Sequence, residues 1–345
     1  MSKILCPNCG EENKVENINC IECEENLKLN YKFHLLKILG ENYGTTYLAE
    51  DSLDNNKQVI IKELSLRTLD KWKTEELFKR EAKVLSQLNH SLIPKYIDSF
   101  TLGIGRNAKM YLVMEKIEGE NLEEERHSQY YTLKDVLTTM KKIINVLDYI
   151  HGLNPPLIHR DLKPSNLIRT KNGDIALIDF GSVRNIVKPS GGSTLIGDSG
   201  YMPPEQFTGK VSIKSDFYAL GVIAVVIFSG KEPSALYQGL DFKWKEHLNL
   251  PSSVEFLLEK LLAYKEKNRI SSSKEIVNML DKLISLDNLT ESQAEIFSNS
   301  YFEKTNKVDE TTVKKETKPL KVFSFIAVFF TIMKIIHYIY YSSNF

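Results

Sequence analysis

The chain has 345 residues, enough for about two units of ordinary domain size. Its 45 Lys and Arg balance 45 Asp and Glu, so no overall field favours nucleic acid or an acidic substrate, and no nucleic-acid partner is expected. Apolar and charged fractions are those of an ordinary soluble core, so the informative asymmetries are local.

The first local asymmetry is in the cysteines. All four lie in the first 23 residues, as Cys6, Cys9, Cys20 and Cys23, a C-x2-C-x10-C-x2-C spacing. Two such hooks can present four thiolates to one tetrahedral Zn²⁺, with no position left open for chemistry. A redox pair or free thiols are the alternatives. Residues 1–29 carry too few large apolar side chains to fold on burial alone, and a structural metal would supply the difference. Gly10 closes the first hook and suits a tight turn, whereas the second hook has Glu24 there. No cysteine remains for disulfides elsewhere, and the apolar stretch before Cys6 is only Ile4-Leu5, so a reducing compartment and no signal peptide are expected.

From Tyr31 the pattern favours strands. Tyr31–Leu39 alternates, and Thr45–Glu50 and Val59–Glu63 are β-branched or aromatic runs around a turn at Asp51–Lys57. A helix is expected over Thr74–Leu88, then a strand pair, Tyr96–Thr101 and Met110–Glu115. The second half is helical. Leu133–His151 is amphipathic, Ser215–Ser229 is apolar nearly all round and so buried, and Val254–Leu262 and Ser272–Leu286 read as surface helices. Residues 182–204 are rich in Gly, Ser and Pro and read as a loop. Residues 287–321 form a charged linker, with Lys314, Lys315, Lys318 and Lys321 clustered at its end.

The chemistry centres on His159-Arg160-Asp161-Leu162-Lys163-Pro164-Ser165-Asn166. In this octapeptide an Asp able to take a hydroxyl proton precedes, by five residues, an Asn able to hold a magnesium ion. Ile178-Asp179-Phe180-Gly181 follows, placing a second acid at the end of an apolar run. Oxygen ligands from two loops are what a Mg²⁺–ATP complex needs.

Residues 31–286 resemble the eukaryotic-like protein kinases. The matching residues are Lys62 in Val59-Ile60-Ile61-Lys62, Glu81 in the following helix, the octapeptide, and Asp179-Phe180-Gly181. The resemblance implies an α+β, two-lobed kinase fold, with a β-rich first lobe and an α-rich second. It implies that Lys62, paired with Glu81, holds the α- and β-phosphates of ATP. Asp161 would receive the hydroxyl proton, Lys163 would stabilise the γ-phosphoryl, and Asn166 and Asp179 would bind two Mg²⁺. Lys163 is the serine/threonine variant of that position. Met114-Glu115-Lys116-Ile117 matches the hinge, where Glu115 and Ile117 would meet adenine and Met114 would guard the back pocket. Leu39-Gly40-Glu41-Asn42-Tyr43-Gly44 matches the phosphate-covering loop, one residue short and without its middle Gly. Glu205, in Met202-Pro203-Pro204-Glu205, is similar to the ion-pair partner of Arg269, and Asp216 to the acid holding the catalytic loop. Ser190, Ser193 and Thr194 are candidate phosphorylation sites, though loop polarity explains them equally. Ile60 stands where the adenine ceiling is usually Ala. Asp198 stands where a Thr usually bonds Asp161 and Lys163.

The four-cysteine element directly before this region, with Gly200-Tyr201-Met202-Pro203-Pro204-Glu205-Gln206, further resembles the bacterial four-cysteine serine/threonine kinases. Protein substrates with Ser or Thr acceptors are therefore expected. A membrane-tethered pseudokinase scaffold is the runner-up, and a small-molecule kinase a third reading.

Val322–Tyr341 is apolar over twenty residues, about 30 Å as a helix. Lysines before it and Tyr338, Tyr340 and Tyr341 at its far end fit a single C-terminal membrane helix with the kinase on the cytoplasmic face. Lys334 and His337 argue against it, leaving an interfacial helix or a packed soluble helix as alternatives.

Overall fold

A computed structural model describes residues 3–41, 44–65, 71–181, 184–185, 200–239 and 241–286. Several sequence expectations lie outside the described residues. These are the loop tip at Asn42 and Tyr43, the hydroxyls Ser190, Ser193 and Thr194, Asp198, the linker 287–321 and the segment 322–341. Among the described residues, no helix is long and apolar enough to cross a membrane.

The first lobe is a single antiparallel sheet. Its strands are β1 (Lys3–Leu5), β2 (Glu12–Lys14), β3 (Phe33–Glu41), β4 (Thr45–Asp51), β5 (Lys57–Ser65), β6 (Tyr96–Leu102) and β7 (Lys109–Glu115). They lie in the order β2-β1-β3-β4-β5-β7-β6. The cysteine-bearing hairpin is thus no separate bead, because β1 meets β3 at Leu5 and Leu35. Alternation sends one residue set to a shared core of Phe33, Leu35, Ala49, Val59, Ile61, Tyr111 and Val113, with Leu5 and Phe100 against it. The β4–β5 turn uses Asn55 and Asn56 at φ +49° and +54°, which Asn tolerates better than most residues. Helix α1 (Lys71–Gln87) follows β5 and carries Glu81 to the cleft.

The second lobe opens with β8 (Gly119–Asn121) and the short α2 (Leu122–Ser128), which runs directly into α3 (Leu133–His151) through a brief loop. Thr132 and Asp135 form a reciprocal cap at the α3 start, satisfying two backbone donors that would otherwise be orphaned. Strands β9 (Leu157–Ile158), β10 (Leu167–Thr170) and β11 (Ile175–Leu177) bracket the octapeptide, and β12 (Arg184–Asn185) pairs with β9. The one-turn α4 (Pro204–Phe207) leads into α5 (Ile213–Ser229). As expected from its apolar circumference, α5 is buried from Ser215 to Ile227. Each fully buried Val, Leu, Ile or Phe there contributes roughly 1.5–3 kcal/mol. Gly230, at φ +66°, ends α5 in a left-handed cap that other residues adopt only with strain.

Beyond it come α6 (Pro233–Leu236), the β13–β14 hairpin (Tyr237–Gln238, Asp241–Phe242), α7 (Ser252–Leu262) and α8 (Ser273–Leu286). Helices α7 and α8 are amphipathic, as read from their spacing, and α8 lies along α3 with Lys141 paired to Asp281.

Candidate active site and four-thiolate centre

Strand β5 presents Lys62 to the cleft, where Nζ lies 2.6 Å from Glu81 Oε1 and 2.7 Å from Asp179 Oδ1. Burial alone would push the ammonium pKa down, but the two carboxylates outweigh it and hold the pKa above its ordinary value. Burial also tends to raise the Asp179 carboxyl, yet Lys62 beside it and the Gly181 N–H bring it down to about 2. Glu81 moves the other way. Its burial and the nearby Asp179 charge outweigh Lys62 and raise it. One cation serves two acids, Glu81 and Asp179, at nearly equal distance.

The backbone around Asp179 is strained in a useful way. Asp179 sits at φ +65°, and Gly181 N–H donates to its Oδ1 at 3.2 Å. A Cβ on Gly181 would come within 3.1 Å of Glu81 Oε2 and push that carboxylate by a few tenths of an ångström. Phe180 packs edge-on to His159, and His159 Nε2 meets the Ile178 carbonyl at 3.2 Å. These contacts tie the octapeptide to the Asp179 segment.

The octapeptide turns through Arg160 at φ +72°. Such a left-handed non-glycine residue costs about 1–2 kcal/mol, and Asp216 holds it in place. Its Oδ1 accepts from Arg160 N–H and its Oδ2 from His159 N–H, both at 2.9 Å, while His151 Nε2 lies 2.8 Å from Oδ2. From the other side, the buried Gln206 donates through Nε2 to the Arg160 carbonyl at 2.8 Å. Sequence reasoning assigned Asp216 this place but missed His151 and Gln206. Gln206 could have been found, because it directly follows Glu205.

This clamp aims Asp161 into the cleft. Asn166 Nδ2 donates to the Asp161 carbonyl at 2.8 Å and approaches its Oδ2 at 3.3 Å, and Lys163 Nζ is 3.6 Å from the same Oδ2. With its amide nitrogen so engaged, Asn166 keeps Oδ1 as an oxygen donor. Asn166 Oδ1 and the second Asp179 oxygen are the hard donors that magnesium prefers. Glu205 pairs with Arg269, whose Nη2 lies 2.8 Å from Oε2, as the resemblance implied. Arg269 is buried and also bonds the Ala263 carbonyl, which fixes the end of the segment after the loop.

At the cleft roof, Leu39, Gly40 and Glu41 form the exposed end of β3, and Gly44 follows the loop tip. A Cβ on Gly44 would fall 2.2 Å from the Glu63 carbonyl oxygen, so this position accepts only glycine. Ile60 pairs in register with Met114, which is buried behind the cleft. Glu115 ends β7, with its N–H donated to the Lys95 carbonyl at 2.9 Å, and Ile117 lies in the following coil. Lys62, Glu81, Asp161, Lys163, Asn166 and Asp179 therefore converge, with the hinge and loop residues on the cleft's other walls.

At the other end of the sheet, the four cysteine Sγ atoms lie within 4.8 Å of one another, with Cys6–Cys23 and Cys9–Cys20 at 3.6 Å. A tetrahedron with Zn–S bonds of about 2.3 Å has edges near 3.8 Å, so the cluster fits the ion. The two hooks repeat one backbone pattern. Cys6 N–H bonds the Glu11 carbonyl and Gly10 N–H the Cys6 carbonyl, while Cys20 N–H bonds Glu25 and Glu24 N–H bonds Cys20. Glu24, at φ +61°, takes the left-handed place that Gly10 fills at φ +79°. Buried Asn13 directs Nδ2 to Cys20 Sγ at 3.5 Å, the kind of neighbour that steadies a thiolate ligand.

Residues 33–289 match the family model described as protein kinase domain. Among curated proteins, the chain is similar to serine/threonine-protein kinase B of Synechocystis sp. It is 31% identical over 303 residues, covering 81% of this chain and 52% of that protein. It is also similar to serine/threonine-protein kinase PknA of Nostoc sp., 31% identical over 280 residues, covering 73% and 47%. A probable serine/threonine-protein kinase of Bacillus subtilis, YbdM, is 29% identical over 251 residues, covering 71% and 87%. The chain spans about half the length of the first two relatives. With the family model matched over most of the chain and the catalytic order Lys62, Glu81, Asp161, Asn166, Asp179 assembled in one cleft, this chain belongs to the protein kinase family.

Proposed function

We propose that this chain is an ATP-dependent protein kinase that transfers the γ-phosphoryl group to serine or threonine hydroxyls of proteins. The observation that carries the reading is the Lys62–Glu81–Asp179 triad facing Asp161 and Asn166 across one cleft. Lys62 is charged and held by two acids, so it is fixed in position to take the α- and β-phosphates. Asp161, whose Oδ2 faces Asn166 and Lys163, is placed to orient the acceptor hydroxyl and receive its proton. Lys163, 3.6 Å away, faces the charge that grows on the transferring group. Asn166 and Asp179 would hold magnesium, which bound there offsets phosphate charge. Positioning and charge carry most of the acceleration. A pseudokinase reading is not favoured, because each of these groups is present and assembled. Phosphoamino-acid analysis of an acceptor protein labelled from radioactive ATP tests the proposal. Label on serine or threonine supports it, and label on tyrosine alone, or none, overturns it.

The four thiolates belong to the same proposal as a structural zinc site, supported by their mutual distances and the paired hooks. Metal analysis of the purified chain checks it, with one zinc per chain expected. The segment Val322–Tyr341 is proposed as a membrane anchor that holds the kinase at the cytoplasmic face, on its length and flanking charges. Loss of membrane fractionation on truncation before Lys321 is the expected result.

A further inference from the structure

Strand β5 carries two neighbouring residues in opposite directions, Lys62 into the cleft and Glu63 to the other face. Glu63 is 7% exposed, unusual for a carboxylate. Lys109 Nζ, at the start of β7, reaches its Oε1 at 3.0 Å. Its Oε2 is buried with no partner among the described residues. A carboxylate so placed depends heavily on Lys109, the one cation that reaches it among the described residues, since losing that partner leaves the buried charge uncompensated.

The same ammonium also donates to the Pro7 carbonyl at 3.4 Å. Pro7 follows Cys6 inside the first hook. The Glu63 peptide, in turn, is the surface on which Gly44 closes the phosphate-covering loop, since a Cβ there would lie 2.2 Å from the Glu63 carbonyl oxygen. Contacts therefore run without a break from the cysteine hook to Lys109, to Glu63, and then to both Gly44 and the peptide that bears Lys62.

We infer that Lys109 and Glu63 are positioning residues that couple the four-cysteine centre to the nucleotide site, so that metal in the hooks tightens ATP binding. The inference rests on the zinc reading of the four thiolates. With the hooks closed on the ion, the Pro7 carbonyl holds Lys109 over Glu63. With the hooks open, Lys109 loses that fixed point, and the Glu63 peptide loses its fixed register beneath the loop. Neither residue touches ATP, so the expected signature is a change in nucleotide affinity and ATP KM rather than in kcat.

The test uses the full chain, with zinc content measured for every sample. Mg²⁺ and a non-hydrolysable ATP analogue are titrated by calorimetry into wild type, Lys109→Met and Lys109→Arg, before and after zinc removal by a chelator. Zinc removal from wild type is expected to weaken analogue binding about tenfold, the equivalent of one decade in Kd. Lys109→Met should show the same weakening with zinc still bound and no further loss when zinc is removed. Lys109→Arg, which keeps the charge and the reach, should bind as wild type does. Glu63→Gln combined with Lys109→Met should bind no more weakly than Lys109→Met alone, because both changes break the same link. The coupling is overturned if Lys109→Met binds as wild type, or if zinc removal weakens both proteins by the same factor. It is also overturned if verified zinc loss leaves wild-type affinity unchanged. A chain purified without zinc would sink the zinc reading alone, and the Lys109→Met, Lys109→Arg and double-variant titrations would still decide whether this pair positions the site.

Discussion

Lys62 and Asp179 are joined across the cleft by a 2.7 Å ion pair, with Glu81 sharing the same ammonium. The pair links the first-lobe sheet to the segment after the catalytic loop, so loss of the cation should disturb both. Lys62→Met leaves buried Glu81 facing half-buried Asp179 with no cation between them. Its kcat/KM for phosphoryl transfer is expected to fall on the order of 10²–10³-fold, the scale seen when one preorganised charge donor is removed. Steady-state transfer kinetics check this, and a fall below tenfold would show that Lys62 does not hold the phosphates.

Asp179 also sets a pH window. Its carboxyl lies at about 2, against an ordinary 3.8. A depressed acid contributes stability above its unfolded pKa and loses it as pH falls through the folded value. The pair's contribution should thus be intact above pH 3.8 and fade between there and about 2. Melting temperatures measured across that range should fall more steeply for wild type than for Asp179→Asn. Parallel curves would remove Asp179 from the account of acid stability.

Asp216 should matter for stability more than for chemistry. It accepts the N–H groups of His159 and Arg160 and faces His151, all at 2.8–2.9 Å and all buried or half-buried. Asp216→Ala orphans these donors at roughly 1–3 kcal/mol each and releases the left-handed turn at Arg160. A loss of about 3 kcal/mol or more in urea unfolding is expected, with Asp216→Asn losing less because it keeps one acceptor oxygen.

The four-cysteine hooks carry a correctable strain. Glu24 is exposed at φ +61°, where a side chain costs about 1–2 kcal/mol and glycine costs little. Glu24→Gly should therefore slow zinc loss to a chelator and raise the melting temperature. Gly10→Glu should do the reverse. Equal rates for Glu24→Gly and wild type would mean that this turn does not limit metal release.

Much of the site was legible from the resemblance to the protein kinases, because phosphoryl transfer needs particular side chains in a particular order. The helix at Leu133–His151 was legible to the residue, since its apolar face runs along it at helical spacing. Four features were not. The union of β1 with β3 depends on one long-range match, Leu5 with Leu35, which leaves no periodic trace. The first turn of α2 carries Glu123, Glu124 and Glu125 after Leu122, an acidic run typical of a solvent-facing turn, yet Glu125 is buried against Arg169 and Arg126 against Glu123 and Glu232. The strand ending at Glu41 and the one reaching Ser65 extend past their apolar residues, because backbone pairing continues where side-chain pattern has stopped. Lys109 and Glu63 look like ordinary surface charges in the sequence and become an ion pair on a buried carboxylate only once β5 and β7 pair.

The most direct measurement of the central claim is single-turnover transfer from radiolabelled ATP to a serine-containing protein acceptor, comparing wild type with Asp161→Asn. The amide keeps the shape and the neighbouring contacts of Asp161 but cannot take the hydroxyl proton. The account predicts measurable transfer by wild type, a loss on the order of 10²–10⁴-fold in the variant, and unchanged binding of Mg²⁺ and ATP. Equal transfer by the two proteins, or none by a folded wild type that binds ATP, would contradict it.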